Sequence, residues 1–303
     1  MMVTSSRNVP TFRRMLRWRL AVLVLCLCLA GAYPCAAESS LSLPPPTDKL
    51  LDLILGIPPN LAPGNSLDDP LRPQIQKPKP ATPQNILPVF LGIPYREDGI
   101  INDDGQYATF NAPDVTFQTP GLNCSGFTLA ASRIILKSNL SVAETIHDRE
   151  GDSGPNAKDG HDWDFGFDLV MNISEGLPRT ILAPQKTAVP EPVTGKTVPT
   201  FDPHGESFAL DLLPQIQEKG FYLVSFSRHA KPDSPPRLHY HTGIIVREDS
   251  SVWLYSTTTR SGKLIRHNLA TEEGLSRFRA SFSNTKGSYK RLTVIFVHPD
   301  ETP

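Results

Sequence analysis

A cysteine stands at residue 124 in the stretch NCSGFTLAASRIIL, directly ahead of apolar residues at helical spacing. A thiol attacks as thiolate. The first turn of a helix favours that form, because the macrodipole and any nearby imidazole stabilise negative charge there. The backbone N–H groups of the same turn can hold the oxyanion of an acyl-transfer intermediate. Cys124 is therefore placed as a nucleophile, and its base must be a histidine from elsewhere in the chain. Of the eight histidines, His147 falls on an exposed helix, His161 and His204 in loops, and His298 near the terminus. His239 and His241 lie in LHYHTGIIV and alternate with Tyr240, so the strand period turns both to one face. His241 is the candidate base. Gly243, two residues on, leaves room for a neighbouring backbone.

The thiol has no second cysteine to pair with. Arg13, Arg14, Arg17 and Arg19 precede an apolar run from Leu20 to Ala32, then Cys35-Ala36-Ala37, and no acid occurs before Glu38. This is the order of a secretory signal peptide, residues 1–37, and its apolar run is short for a bilayer-spanning helix. Removing it takes away the other three cysteines, which leaves Cys124 alone in a compartment where cysteines usually pair. Five arginines and no acid leave with it, so the formal charge moves from −1 to about −6. That balance argues against a nucleic-acid surface. The chain is expected to be exported, periplasmic or associated with the cell envelope, with no transmembrane segment once the leader is gone.

Residues 38–88 read as a proline-rich arm. Twelve prolines between Pro44 and Pro88 block helix and sheet. One apolar piece, DKLLDLILG, has the makings of a helical turn or two that docks on the domain or on an envelope protein partner. Residues 89–303 read as one catalytic-sized domain. A helix runs from Cys124 to about Lys137 with Phe127, Leu129, Ala130, Ile134 and Ile135 on its buried side. Ser141 and Glu144 have capping-box spacing for a second. The stretch 148–168 is rich in Asp and Gly. Its acids suggest calcium, yet Asp148, Glu150 and Asp152 are followed by Ser153, which departs from the EF-hand loop; it reads as a solvated or substrate-facing loop. Residues 183–204 read as an extended insertion. Five strands follow (221–227, 238–246, 252–258, 262–268 and 291–297), with a turn at Glu248-Asp249-Ser250 and a short helix before the last. Helices first and strands after them predict an α+β fold with an antiparallel sheet.

Three motifs in order, FLGIPYREDG (90–99), NCSGF (123–127) and HTGIIV (241–246), resemble segments of NlpC/P60 cell-wall peptidases. The resemblance covers about residues 85–297, with insertions near 98–120 and 148–205. It implies a papain-like α+β fold in which the nucleophile-bearing helix packs on an antiparallel sheet. It also implies hydrolysis of peptide bonds in peptidoglycan stem peptides, with no metal and no cofactor. By this resemblance Cys124 is the nucleophile and His241 the base. Tyr95 lines the site near the oxyanion, and Ser125 helps bind the substrate's amino end. Asn123 stands where the family usually carries Asp, which removes a charge that some members use to hold a free amine. The family orients its imidazole from the strand after the base. Tyr255 falls there as a third member, its oxygen able to accept an imidazole N–H, and His267 and Asn268 on the next strand are the fallback. Two other readings fit the same residues: a papain-like amidase or acyltransferase on another substrate, and a catalytically silent cell-envelope binding module.

Overall fold

A computed structural model of the chain describes residues 47–54, 82–151, 162–185, 189 and 191–298. The leader 1–37 and most of the arm lie outside the described residues. The two parts of the arm that are described belong to the core. Helix α1, Thr47–Ile54, puts Leu50 and Leu51 into it. Helix α2, Pro83–Ile86, starts on a proline, whose missing N–H costs nothing in a first turn. It runs into a 3₁₀ turn, Leu87–Phe90, and Ile86, Leu87 and Phe90 are fully buried. Phe90 meets Phe127 edge-on at 5.4 Å. The folded unit therefore takes in residues ahead of position 89.

A small antiparallel sheet follows, made of β1 (Gly99–Ile101), β2 (Tyr107–Thr109) and β3 (Ala112–Thr116). Helix α3, Cys124–Ile135, packs against it at unusually short range. A Cβ on Gly126 would stand 2.1 Å from the Gly99 carbonyl oxygen, so only glycine allows this approach. Arg133 of α3 is buried, and its guanidinium is satisfied by Asp103 and by the carbonyls of Ile101, Asn102 and Leu140. A buried charge that is paired and fully hydrogen-bonded is tolerable; an unpaired one would not be. Helix α4, Val142–Thr145, carries the expected capping box of Ser141 and Glu144.

Of the stretch expected to be a solvated loop, residues 152–161 lie outside the described residues, and residues 162–168 depart from that reading. Helix α5, Phe165–Ile173, begins inside it, and Asp162, Asp164 and Asp168 are buried. FGFDLVMNI is apolar except for Asp168 and Asn172, which are buried as well, so it lacks the solvent-facing polar side by which a surface helix is read. Gly166 lets α5 rest on the backbone of the main sheet, where a Cβ would lie 3.0 Å from the His239 oxygen.

The main sheet is antiparallel, in the order β4-β9-β5-β6-β7-β8. Its strands are β4 (Arg179–Ile181), β5 (Phe221–His229), β6 (Pro236–Glu248), β7 (Ser251–Thr257), β8 (Leu264–Asn268) and β9 (Tyr289–Val297). One face, with Leu223, Ile244, Val246 and Ile295, packs on α3 and α5 through Phe127, Ala130, Ile134, Phe167 and Val170. The other face, with Val224, Phe226, Ile245 and Leu254, is covered by helices α6 (Phe208–Leu212) and α7 (Glu272–Ser281), through Phe208, Leu212 and Phe278, and by Phe282 beyond α7. The fold is α+β, with the cysteine-bearing helix packed on an antiparallel sheet.

Two outcomes follow from this packing. Gly126→Ala should destabilise the protein by about 2 kcal/mol or more, because the new methyl forces α3 away from β1; urea unfolding reads the change. Asp168 behaves differently. Burial, and then the charges of Asp162, Asp148 and Glu150, push its carboxyl up to about 7 against the pull of the Arg149 N–H. A carboxyl raised in the folded state loses stability as pH climbs from its unfolded value near 4 towards 7. Asp168→Asn keeps an acceptor for that N–H without the charge. It should raise stability at pH 8 by on the order of 2–4 kcal/mol and leave it little changed at pH 4; unfolding curves at the two pH values check both halves.

Candidate active site

Asn123 caps α3. Its Oδ1 accepts the Gly126 N–H at 2.7 Å, and its backbone N–H donates to the Gly99 oxygen at 2.9 Å. The carboxamide oxygen is thus committed to the helix. Cys124 comes next, half-buried, and its N–H in the first turn has no intrahelical acceptor. The Thr128 hydroxyl donates to the Cys124 carbonyl at 2.9 Å and meets the Thr242 hydroxyl at 3.0 Å. This pair pins the first turn of α3 to β6 one residue from His241.

The two histidines of β6 do not share a face. Phe226 pairs with His241, but Ser227 pairs with His239, so Tyr240 is an extra residue and forms a bulge. His239 turns to the α5 side. It lies against Trp163 and Phe167, with Nδ1 3.1 Å from Ser225 Oγ and Nε2 2.9 Å from the Gly195 oxygen. Burial lowers its pKa to about 4, so it is a neutral structural residue. His241 turns to the opposite layer, its ring 4.9 Å from that of Phe226 and 5.1 Å from that of Phe282.

His241 and Cys124 come together. Burial pushes the thiol up, but the charge and hydrogen bond of His241, the Thr242 backbone N–H and the Ser125 hydroxyl outweigh it. The result is a pKa lowered from 9.0 to about 7, where about half the thiol is ionised at neutral pH. Ser125 is buried, with Oγ 3.8 Å from the sulfur, so it acts on the thiolate. Nε2 of His241 is buried without a hydrogen-bond partner among the described residues, which leaves Nδ1 to face the sulfur.

Tyr255 does not serve as the third member. It pairs with Ile244, three residues from His241, roughly 10 Å along the strand and on the other face. Its side chain is buried in the α3 layer and its hydroxyl accepts from Arg266 at 3.1 Å. The fallback residues are elsewhere too. Asn268 binds the backbone of Val252 and Ala270 and the Ser251 hydroxyl, and the His267 ring lies against Phe278. The imidazole is held in place by the Phe226 and Phe282 rings.

Tyr95 is where the sequence put it. A bridge to Leu122 and a 2.9 Å hydrogen bond to the Gly262 oxygen fix its backbone, and it lines a cleft of about 320 Å³ with Cys124 and His241. The same cleft is lined by Arg228, Tyr240, Arg260 and Lys290, which the sequence reading did not single out. Three of these are scattered over different strands and turns and carry no common motif. Tyr240 was legible in principle, since a bulge between the two histidines would place it beside His241. Among the described residues, Asp148, Asp162 and Asp168 hold carboxylate oxygens within 4.8 Å of one another, the spacing of a metal site. Protonation of Asp168 near neutrality relieves the same crowding.

No family model matches the sequence, and no curated protein matches it significantly. Solved structures do. One is LPG0564 from Legionella pneumophila str. Philadelphia 1, with the family designation DUF1460. It is 11% identical, covers 71% of this chain and 88% of that one, and has a TM-score of 0.42. Another is an N-acetylmuramoyl-L-alanine amidase from Bacteroides uniformis ATCC 8492. It is 15% identical, covers 71% of this chain and 98% of that one, and has a TM-score of 0.36. Likeness at these scores carries no argument about activity, which rests on the site itself.

Alkylation of Cys124 by iodoacetamide should follow a titration centred near pH 7. In His241→Gln the centre should move to 9 or above, because burial then acts with less opposition. An unmoved midpoint in that variant would show that the imidazole does not act on the thiol.

Proposed function

We propose that the chain is an exported cysteine peptidase that hydrolyses peptide bonds in peptidoglycan stem peptides. The observation that carries the chemistry is the thiol of Cys124, held at the start of α3 with its pKa lowered to about 7 beside His241. The thiolate attacks the scissile carbonyl, and the first-turn N–H groups of α3 receive the oxyanion. The imidazolium proton passes to the leaving amine, which leaves a thioester on Cys124. His241 then takes a proton from water, the resulting hydroxide attacks the thioester, and the thiolate departs.

The substrate class is supported by the three ordered motifs that resemble NlpC/P60 peptidases, around Tyr95, Cys124 and His241. Export is supported by the leader-like residues 1–37. In addition, no helix among the described residues is long and apolar enough to cross a membrane. Incubating residues 38–303 and a Cys124→Ala variant with intact peptidoglycan and with free stem peptides tests the reading by mass spectrometry. New fragments are expected from the unaltered thiol only, and their masses name the bond. Fragments from both proteins, or from neither, would exclude this activity for Cys124.

A further inference from the structure

A tyrosine is held in the cleft by charge. Tyr240 is the additional residue of the β6 bulge, and it lines the cleft with Cys124 and His241, its ring 6.2 Å from the imidazole. Two cations reach that ring. The Arg228 guanidinium lies 4.1 Å and the Lys290 ammonium 5.7 Å from its centre. Arg228 and Lys290 are directly opposite each other in the β5–β9 ladder, where like charges repel. The negative face of an aromatic ring attracts cations and relieves that repulsion. The arrangement fixes the Tyr240 ring, and with it the hydroxyl, on a half-buried wall of the cleft.

The hydroxyl is prepared as a donor. The Arg228 guanidinium hydrogen-bonds it. A guanidinium only donates, so this contact occupies an oxygen lone pair and leaves the O–H proton for another acceptor. The same contact polarises the O–H and strengthens the bond it can give. Burial, and to a smaller degree the Cys124 charge, push the phenol up to about 12 against the pull of Arg228, so it keeps its proton at neutral pH, where the thiol ionises. That the Cys124 charge acts on it puts the hydroxyl near the sulfur. Yet the groups that hydrogen-bond the thiolate are His241, the Thr242 N–H and Ser125, and Tyr240 is not one of them. A donor near the sulfur and not spent on it suits the oxygen of an attacked carbonyl, which is carried by the very carbon the sulfur joins.

We propose that Tyr240 is a catalytic residue of this cleft: its hydroxyl donates to the oxyanion formed when the Cys124 thiolate attacks a carbonyl, alongside the first-turn N–H groups of α3. Arg228 and Lys290 are the positioning residues that hold its ring. The inference rests on the acyl-transfer chemistry of Cys124 and His241. It goes beyond the resemblance to NlpC/P60 peptidases, which puts its tyrosine at position 95.

The test compares two reactions of the same thiol. With p-nitrophenyl acetate the thiolate attacks the carbonyl, an S–C bond forms, the ester C–O bond breaks and p-nitrophenolate leaves, so an oxyanion is built on the way. With iodoacetamide an S–C bond forms with loss of iodide, and no oxyanion is built. Cys124→Ala supplies the background for both. Tyr240→Phe keeps the ring and removes only the hydroxyl. It should slow the p-nitrophenolate burst by on the order of tenfold or more, as loss of an oxyanion donor does, while alkylation keeps its rate. Arg228→Gln, at an exposed position, should slow the burst in the same sense but less, again without slowing alkylation. A burst unchanged in Tyr240→Phe overturns the inference, and so does a burst that falls together with alkylation, since the hydroxyl would then act on the thiolate or on the fold. A parent thiol that alkylates but gives no burst overturns both the inference and the acyl-transfer reading. A burst with the expected loss in Tyr240→Phe, from a protein that cleaves no stem peptide, keeps the inference and discards that substrate.

Discussion

Everything at the site depends on how closely the first turn of α3 is held between two sheets. On one side Gly126 rests on the Gly99 carbonyl, at a distance no other residue permits. On the other side the Thr128 and Thr242 hydroxyls join the helix to β6. The thiol rides on that turn and the imidazole sits one residue from Thr242, so the separation of nucleophile and base is set by backbone packing. Loosening either contact changes where the sulfur lies before it changes any chemistry.

Within that frame the electrostatics are a contest. Burial favours the neutral thiol, while an adjacent imidazole, a backbone N–H and a hydroxyl favour the thiolate, and the second group prevails. The imidazole achieves this with no hydrogen-bond partner for Nε2 among the described residues. Two phenylalanine rings occupy the space where a hydrogen-bonding partner would orient it. Packing fixes the ring plane, as dense interiors do, and the unpartnered Nε2 is the price of using it.

Much of this was legible from the sequence, for identifiable reasons. The helix at Cys124 announces itself by a capping residue and a 3.6-residue period, and the late strands by β-branched and aromatic runs; both are local signals. Cys124, His241 and Tyr95 could be named because each sits in a short distinctive motif. What failed was long-range or departed from simple periodicity. Helix α5 is buried from Gly166 to Ile173, Asp168 and Asn172 included, so its polar residues mark no solvent face. Tyr255 was placed by counting strands, and register put it on the wrong face. Arg228 and Lys290 converge only because β5 and β9 are neighbours in space while about 60 residues apart in sequence, which no local pattern records.

The bulge at Tyr240 has one more consequence. Without it, residues two apart on β6 would serve the same layer, and a single strand could not both brace α5 with His239 and supply the cleft with His241. One additional residue converts an even spacing into opposite directions. The site is therefore written in the number of residues along β6 as well as in their kinds. Exchanging Tyr240 for another side chain alters a wall of the cleft, whereas flattening the bulge while keeping the residue would shift the register and turn one histidine out of its layer without changing either. Chains of this type that keep the two-residue spacing of the histidines but pair it without a bulge should differ in chemistry even where the cysteine and both histidines are retained.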